Sequence, residues 1–295
     1  MWHSDDSSAR TARDHPKCSV WFLLRRFALR SEAHGAAQDW VGKAGLLLIR
    51  GFSFLVALSL ALVTSFSSHA AEVSAAVAAN FSATAQDLGS AFTAETGNTV
   101  SFSFGATGLL YAQISQGAPF QVFLAADDGR PGRAVTDGYG IDGTVFTYAV
   151  GKVVLYSPSL DLTDGGAVLV AGRFDHIAIA DPNSAPYGAA AVEAIEALGL
   201  RDALASKTVV GENISQALQF VESGNAELGF VSQAQVIDQP PARVWRVPAE
   251  YYSPIRQAAV LLKPGEKSAA ARAFLDFIRS ADGKAIIAKY GYATD

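Results

Sequence analysis

At four points this chain passes from a strand pattern through a short turn into a helix pattern: at Asn80, Thr107, Tyr187 and Ile214. The clearest is the run from His176 to Gly199. Ile177 to Ala180 reads as a buried strand, Asp181 to Pro186 as a turn rich in breakers, and a helix begins near Tyr187 and stops at Gly199. The first N–H groups of a helix have no acceptor within it, and the helix dipole favours negative charge at that end, so each turn offers an anion a cluster of donors. One such turn carries little weight, because every α/β protein has several and capping alone accounts for it. Four converging on one cleft are a different matter. At about 1.5 to 3 kcal/mol for each hydrogen bond to a charged group they supply roughly 6 to 12 kcal/mol before the costs of closure and desolvation. Micromolar to nanomolar affinity needs about 8 to 12 kcal/mol, so the site needs neither Lys nor Arg.

A site made only of donors suits a fully ionised dianion, whereas a protonated oxyanion would also want an acceptor. The carboxylates near the turns, Asp181 and Glu212, are expected to be solvated or capping groups. Other chemistry finds little material. His176 is the only histidine after residue 70, and the single cysteine, Cys18, lies far ahead of it, so neither a metal cluster nor a nucleophile–base pair can be assembled from them. Asp127-Asp128 could serve a metal or acid–base step, but a solvated pair at a strand end is the simpler expectation. No enzymatic activity and no metal ligand are expected.

The elements that must position these turns follow in order. A strand over Glu72 to Asn80 leads to a helix ended by Gly97, with Asn80 and Ser82 as good caps. A second strand, Thr99 to Phe104, meets Gly105-Ala106-Thr107-Gly108 before a helix over Leu109 to Gln116. Further strands are expected at Phe120 to Asp128, at Phe146 to Tyr156, at Lys207 to Val210, at Glu227 to Val231 and at Ile255 to Leu262. Helices are expected through Leu218 to Gly224, over Ser268 to Ile278, and in a last short piece before Gly291. Strands alternating with helices indicate α/β layers with mostly parallel sheets. The long apolar strands near 146–156 and 255–262 bracket the middle third, which points to one lobe inserted in another: 72–149 with 250–295 as the first, 150–249 as the second. The ligand cleft then lies between them, beyond the C-terminal ends of the strands.

Ahead of the fold, the apolar run Gly51 to Val63 follows Lys43 and Arg50 and precedes Ser-Phe-Ser-Ser-His-Ala-Ala, so 43–71 reads as a secretory signal peptide cut near Ala70 or Ala71. A membrane anchor is the lesser reading, because Arg50 interrupts the longer apolar stretch. Residues 1–42 have no periodicity and are expected to be a non-structural extension; Met1 is the only methionine, so a start inside it, for instance at Val41, would need a non-Met codon. Residues 1–70 hold eight of the 23 basic and five of the 28 acidic residues, which leaves 15 and 23 after cleavage and a net charge of −8. That acidic balance argues against a nucleic-acid partner.

Six segments together carry a resemblance: Ala-Ala-Asn-Phe-Ser (78–82), Ser-Phe-Gly-Ala-Thr-Gly (103–108), Gly-Ala-Pro-Phe-Gln-Val-Phe-Leu-Ala-Ala-Asp (117–127), Pro-Tyr-Gly-Ala-Ala-Ala (186–191), Gly-Glu-Asn-Ile (211–214) and Lys-Tyr-Gly-Tyr (289–292). The chain resembles the periplasmic molybdate-binding proteins of ABC uptake systems over essentially all of 72–295. The resemblance implies a two-lobe periplasmic-binding-protein fold and capture of molybdate or tungstate as ligand, with no cofactor. It further implies delivery to the membrane permease of an ABC transporter by a periplasmic monomer. It implies oxyanion contacts at Asn80 and Thr107 through side chain and backbone, and at Tyr187 and Ile214 through backbone N–H. Some relatives carry a tyrosine hydroxyl donor where Ser232 stands, a shorter residue whose part in the site stays open. Tyr251-Tyr252 are similar to the adjacent tyrosines of ferric-ion binding proteins of like fold, and here a hinge or packing role is expected. A sulfate or ferric-ion receptor is the alternative reading.

Overall fold

The computed structural model describes residues 70–294. The expected extension over 1–42, and the signal segment up to residue 69, lie outside them.

The first half-fold begins with β1 (Glu72–Ala78), a short 3-10 turn over Ala79–Phe81, and α1 (Ser82–Thr96). Gly97 ends this helix at φ 75°, a left-handed conformation that costs a glycine little. Next come β2 (Thr99–Gly105), α2 (Thr107–Ser115), β3 (Val122–Leu124), α3 (Gly129–Thr136) and β4 (Phe146–Gly151). Then follow β5 (Val153–Tyr156), α4 (Gly165–Ala171), β6 (Ile177–Ala180), α5 (Pro186–Ala197), α6 (Arg201–Ala205), β7 (Thr208–Gly211), α7 (Ile214–Glu222), β8 (Leu228–Ser232) and β9 (Val244–Arg246). The chain closes with β10 (Ile255–Leu261), α8 (Ala269–Arg279) and α9 (Ala281–Lys289).

These strands form two five-stranded sheets, β2-β1-β3-β10-β4 and β7-β6-β8-β5-β9. Both follow one plan. Three strands pair in parallel (β2 with β1 and β1 with β3; β7 with β6 and β6 with β8), and a strand then inserted antiparallel pairs with a fifth. The sheets are therefore mixed, each α/β half flanked by helices. The antiparallel members, β10 and β5, are the first strands reached after each passage from one sheet to the other. The long strand expected over Phe146 to Tyr156 divides at Lys152: β4 belongs to the first sheet and β5 to the second. The strand expected over Phe120 to Asp128 is only three residues long; Ala125 still donates to Ala258 O, and Ala126 beyond it lines the cleft. Helix α3 was hidden by Gly129, Pro131 and Gly132; Pro131 stands in the first turn, where its missing N–H is no loss.

The central strands of both sheets are covered on their apolar faces, while Phe104 and Val210 on the edge strands stay exposed. Phe81, Leu88, Phe92 and Phe274 pack beneath the first sheet, with Phe92 and Phe274 edge to face at 5.3 Å. Phe123, Leu110 and Val260 fill its other side. Leu155, Ile177, Leu169 and Phe230 anchor the second core. Each such side chain contributes about 1.5 to 3 kcal/mol by leaving water, so the frame around the cleft is rigid.

Candidate functional site

Each of the four turns sits at the C-terminal end of a parallel strand: β1 leads to Asn80, β2 to Thr107, β6 to Tyr187 and β7 to Ile214. All four residues are buried, at 3%, 1%, 1% and 3% exposure. They line one small recess together with Ala78, Ala79, Gly105, Ala106, Ala126 and Asn213, and no charged side chain faces it. Two turns come from each sheet. A wider recess of about 250 Å³ shares Ala126, Ala185 and Pro186 with it and carries the charges, among them Asp127, Asp128, Arg130, Glu193 and Arg256.

The local chemistry of each turn explains which groups face the recess. At α7, Asn213 is the N-cap, with extended backbone (φ −146°, ψ 175°), and its Oδ1 accepts from the N–H of Ser215 at 3.0 Å and of Gln216 at 3.1 Å. This cap serves the second and third N–H groups and leaves over that of Ile214. At α5, Pro186 occupies the first helical position and has no N–H, so Tyr187 supplies the first donor there. At α2, the Thr107 Oγ1 accepts from Ala126 N–H at 3.1 Å, which ties the turn to the end of β3 and leaves the hydroxyl proton for another acceptor.

Asn80 departs from expectation. It does not cap α1, whose N-cap is Phe81 with no side-chain bond, and Ser82 is already helical. Its side-chain NH2 instead donates to Gln257 Oε1 at 2.8 Å and to Tyr292 Oη at 3.1 Å, and the Tyr292 hydroxyl donates back to the Asn80 carbonyl at 2.9 Å. Both amide protons are thus engaged within the protein, and the backbone is what Asn80 offers the recess. Tyr187 likewise turns its ring away. Its hydroxyl accepts from Ser232 Oγ at 3.2 Å and from Gln257 Nε2 at 3.4 Å. Ser232, fully buried, belongs to this network behind the recess and is not one of the recess's walls. Burial pushes the Tyr148 and Tyr187 hydroxyls well above the usual tyrosine range, and that of Tyr292 to about 12, so all three stay neutral. Gln257, Tyr148 and Tyr292 were not legible as site residues; the Lys-Tyr-Gly-Tyr segment was the one trace of them.

Contacts between turns of opposite sheets shut the cleft around the recess. Gly108 N–H donates to Ser184 O at 2.8 Å, Ser215 Oγ donates to Ala79 O at 3.2 Å, and Arg130 Nη2 donates to Asn183 O at 3.3 Å. A Cβ on Gly108 would come within 3.1 Å of Ser184 backbone, which is why the turn reads Thr-Gly.

The remaining candidates sit apart. Asp181 accepts from Asn183 N–H and Nδ2 and from Ser184 Oγ, bonds that hold its carboxyl below the usual range while stiffening the loop before α5. Glu212 is exposed, and its N–H goes to Gln216 Oε1 at 2.6 Å. His176 is exposed ahead of β6, with its N–H on Glu227 Oε2. Asp127 pairs with Arg130, and Asp128 is exposed. Tyr251 and Tyr252 are half-buried in the passage from β9 to β10 and line neither recess. Among the described residues no group of three His, Cys, Asp or Glu could hold a metal ion, and no helix is long and apolar enough to cross a membrane.

The model of the bacterial extracellular solute-binding protein family matches residues 73–293. The chain belongs to this solute-binding family. The molybdate-binding protein ModA of Rhodobacter capsulatus is 49% identical over 239 residues, covering 81% of this chain and 95% of that protein. ModA of Azotobacter vinelandii is 49% identical over 227 residues, covering 76% and 90%. The solved structure of the A. vinelandii periplasmic molybdate-binding protein superposes with a TM-score of 0.73 at 38% identity, covering 76% of this chain and 99% of that one. As a member of a receptor family, this solute-binding protein is expected to hold its ligand unchanged, and a recess walled by backbone, alanines and neutral side chains suits holding.

Proposed function

We propose that this solute-binding protein captures molybdate for an ABC transporter, holding the oxyanion in the small recess by neutral donors. The observation that carries this reading is the convergence of Asn80, Thr107, Tyr187 and Ile214 on one charge-free recess in a chain that is 49% identical to molybdate-binding proteins over 239 and 227 aligned residues. The proposed contacts are the N–H groups of the four turns together with the Thr107 hydroxyl. A dianion that cannot donate a hydrogen bond is satisfied by such a shell, and the absence of an acceptor discriminates against anions that still carry a proton. Tungstate, with the same charge and shape, is proposed as a second ligand.

With two turns from each sheet, the ligand favours the shut arrangement over an open one, and the shut form is the state offered to the permease. The lobes are proposed as 72–149 with 250–295, and 150–249. Export by the 43–71 segment would place the mature protein in the periplasm as a monomer, and sequencing the N-terminus of the exported protein reads the cleavage point directly. The binding claim is tested by calorimetry and thermal unfolding with molybdate, tungstate, sulfate and phosphate. A ligand present at a thousand times its Kd stabilises the fold by about 4 kcal/mol. Molybdate and tungstate should each raise Tm and sulfate should do little; equal shifts for molybdate and sulfate would overturn the reading.

A further inference from the structure

Behind the recess lies a buried polar cluster that joins the two sheets. Gln257 is its centre. It is fully buried on β10, the antiparallel strand of the first sheet. Its Oε1 accepts from Asn80 Nδ2 at 2.8 Å and from Tyr148 Oη at 3.3 Å, and its Nε2 donates to Tyr187 Oη at 3.4 Å. Asn80 belongs to a turn of the first sheet and Tyr187 to a turn of the second, so one carboxamide holds residues on opposite walls of the recess. Ser232 and Tyr292 complete the ring of contacts around the Tyr187 hydroxyl.

Two features of the backbone are built to this cluster. The pairing of β10 with β4 slips register between Gln257 and Ala258, and such a bulge is a device for re-aiming a side chain. On the paired strand, opposite Ile255, Gly151 leaves the space that the cluster fills. A Cβ there would fall 2.1 Å from Tyr187 Oη and 2.8 Å from Gln257 Nε2. A buried polar network is costly unless each member is partnered, so its place at the junction of the sheets has to be explained by what it holds.

Resting on the molybdate-binding reading, we infer that Gln257 is a positioning residue: through Asn80 and Tyr187 it locks the two halves of the recess at the separation that fits the anion. Gln257 does not touch the ligand. Its Oε1 takes one Asn80 NH2 proton while Tyr292 takes the other, which fixes the groups of Asn80 that face the recess, and its Nε2 grips Tyr187 by the hydroxyl so that the start of α5 cannot swing away with its N–H. The lock exists only in the shut cleft, so its loss speeds ligand escape without slowing entry.

The test measures association and dissociation of sodium molybdate by stopped-flow on the wild type, Gln257→Leu, Tyr187→Phe and the double variant, with tungstate, sulfate and phosphate run in parallel. Both single variants should raise koff by about fivefold or more with kon nearly unchanged, the worth of a buried hydrogen bond. The double variant should be no worse than the poorer single, because both cut one link. Tyr187→Phe removes a single oxygen and keeps the backbone N–H, so it reads the lock even if Gln257→Leu fails to fold. Gly151→Ala, which fills the space of the link, should reproduce the fast escape. The inference is overturned if koff of Tyr187→Phe stays within twofold of wild type, if the two effects multiply in the double variant, or if the variants lose stability without ligand while koff is unchanged. A wild type that binds another anion of the panel and not molybdate overturns the function reading alone, and the lock is then read with that anion. A wild type that binds none overturns both.

Discussion

The backbone donor at Ile214 can be removed almost alone. Ile214 is the first helical residue of α7, the position where proline is best tolerated, because its φ is already near the helical value and no intrahelical bond is lost. The residue before it, Asn213, has the extended backbone that a following proline demands. Ile214→Pro therefore deletes one N–H from the recess while Asn213 continues to accept from Ser215 and Gln216. The side chain changes too, since Ile214 is 3% exposed and packs in the second core, so the comparison is with Ile214→Ala, which keeps the N–H and loses more of the packing. A hydrogen bond to a charged group contributes about 1.5 to 3 kcal/mol, or roughly 10- to 150-fold in Kd. Calorimetric titration with molybdate should show that loss in Ile214→Pro and a much smaller one in Ile214→Ala, with the ligand-free Tm of the two falling to similar values. Equal Kd in the two variants would refute the claim that the recess binds through its helix-start N–H groups.

Thr107→Val should weaken molybdate binding and also lower the ligand-free stability by about 1 to 3 kcal/mol, because Ala126 N–H loses its acceptor in a buried place; Thr107→Ser should restore most of both in denaturant titrations. Gly188→Ala should destabilise the fold by about 3 kcal/mol or more, because the new Cβ would meet the Ala180 carbonyl oxygen at 2.2 Å, a backbone atom that cannot rotate aside, where α5 crosses the end of β6; a urea midpoint near that of the wild type would contradict the packing. Stability should fall on the alkaline side. Tyr292 has its pKa raised from 10.0 to about 12 by burial, so the unfolded chain loses that proton first, and the contribution present below pH 10 disappears as pH rises toward 12. Chemical denaturation at pH 9 and pH 11 should show the loss, and Tyr292→Phe should make it shallower.

The local signals were legible because they are local. Breakers such as those from Asp181 to Pro186 ahead of an apolar helix pattern, small polar turns such as Gly105 to Gly108, and Gly97 or Gly199 after a helix are rules acting within a few residues, and they located the turns and the helices that carry them. At 146–156 the crossing between the two halves was legible but the division at Lys152 was not, for the opposite reason. A run of apolar residues is equally consistent with one long strand or with two strands in different sheets, and only the pairing of β4 with β10 and of β5 with β8 separates them. Asn80 shows the same limit more sharply. Asparagine before a serine is a good cap by every local rule, yet its amide bonds to residues 177 and 212 positions away. A local cap costs little chain entropy, but a carboxamide buried beside Gln257 and Tyr292 has no water to fall back on, and the partner that removes the larger penalty wins.

That competition also bears on how a recess of neutral donors can bind well. Backbone N–H groups cannot be re-aimed by rotating a side chain, so their affinity depends on how firmly the two sheets are held when the cleft is shut. Gly108, Ser215 and Arg130 join the sheets at the rim, where water can replace each contact. The bonds of Gln257 to Asn80 and Tyr187 join them behind the recess, where water is excluded and an unmade bond is costly. Once the cleft is shut, the stiffness that makes uncharged donors sufficient therefore has to come from the inner contacts more than from the rim.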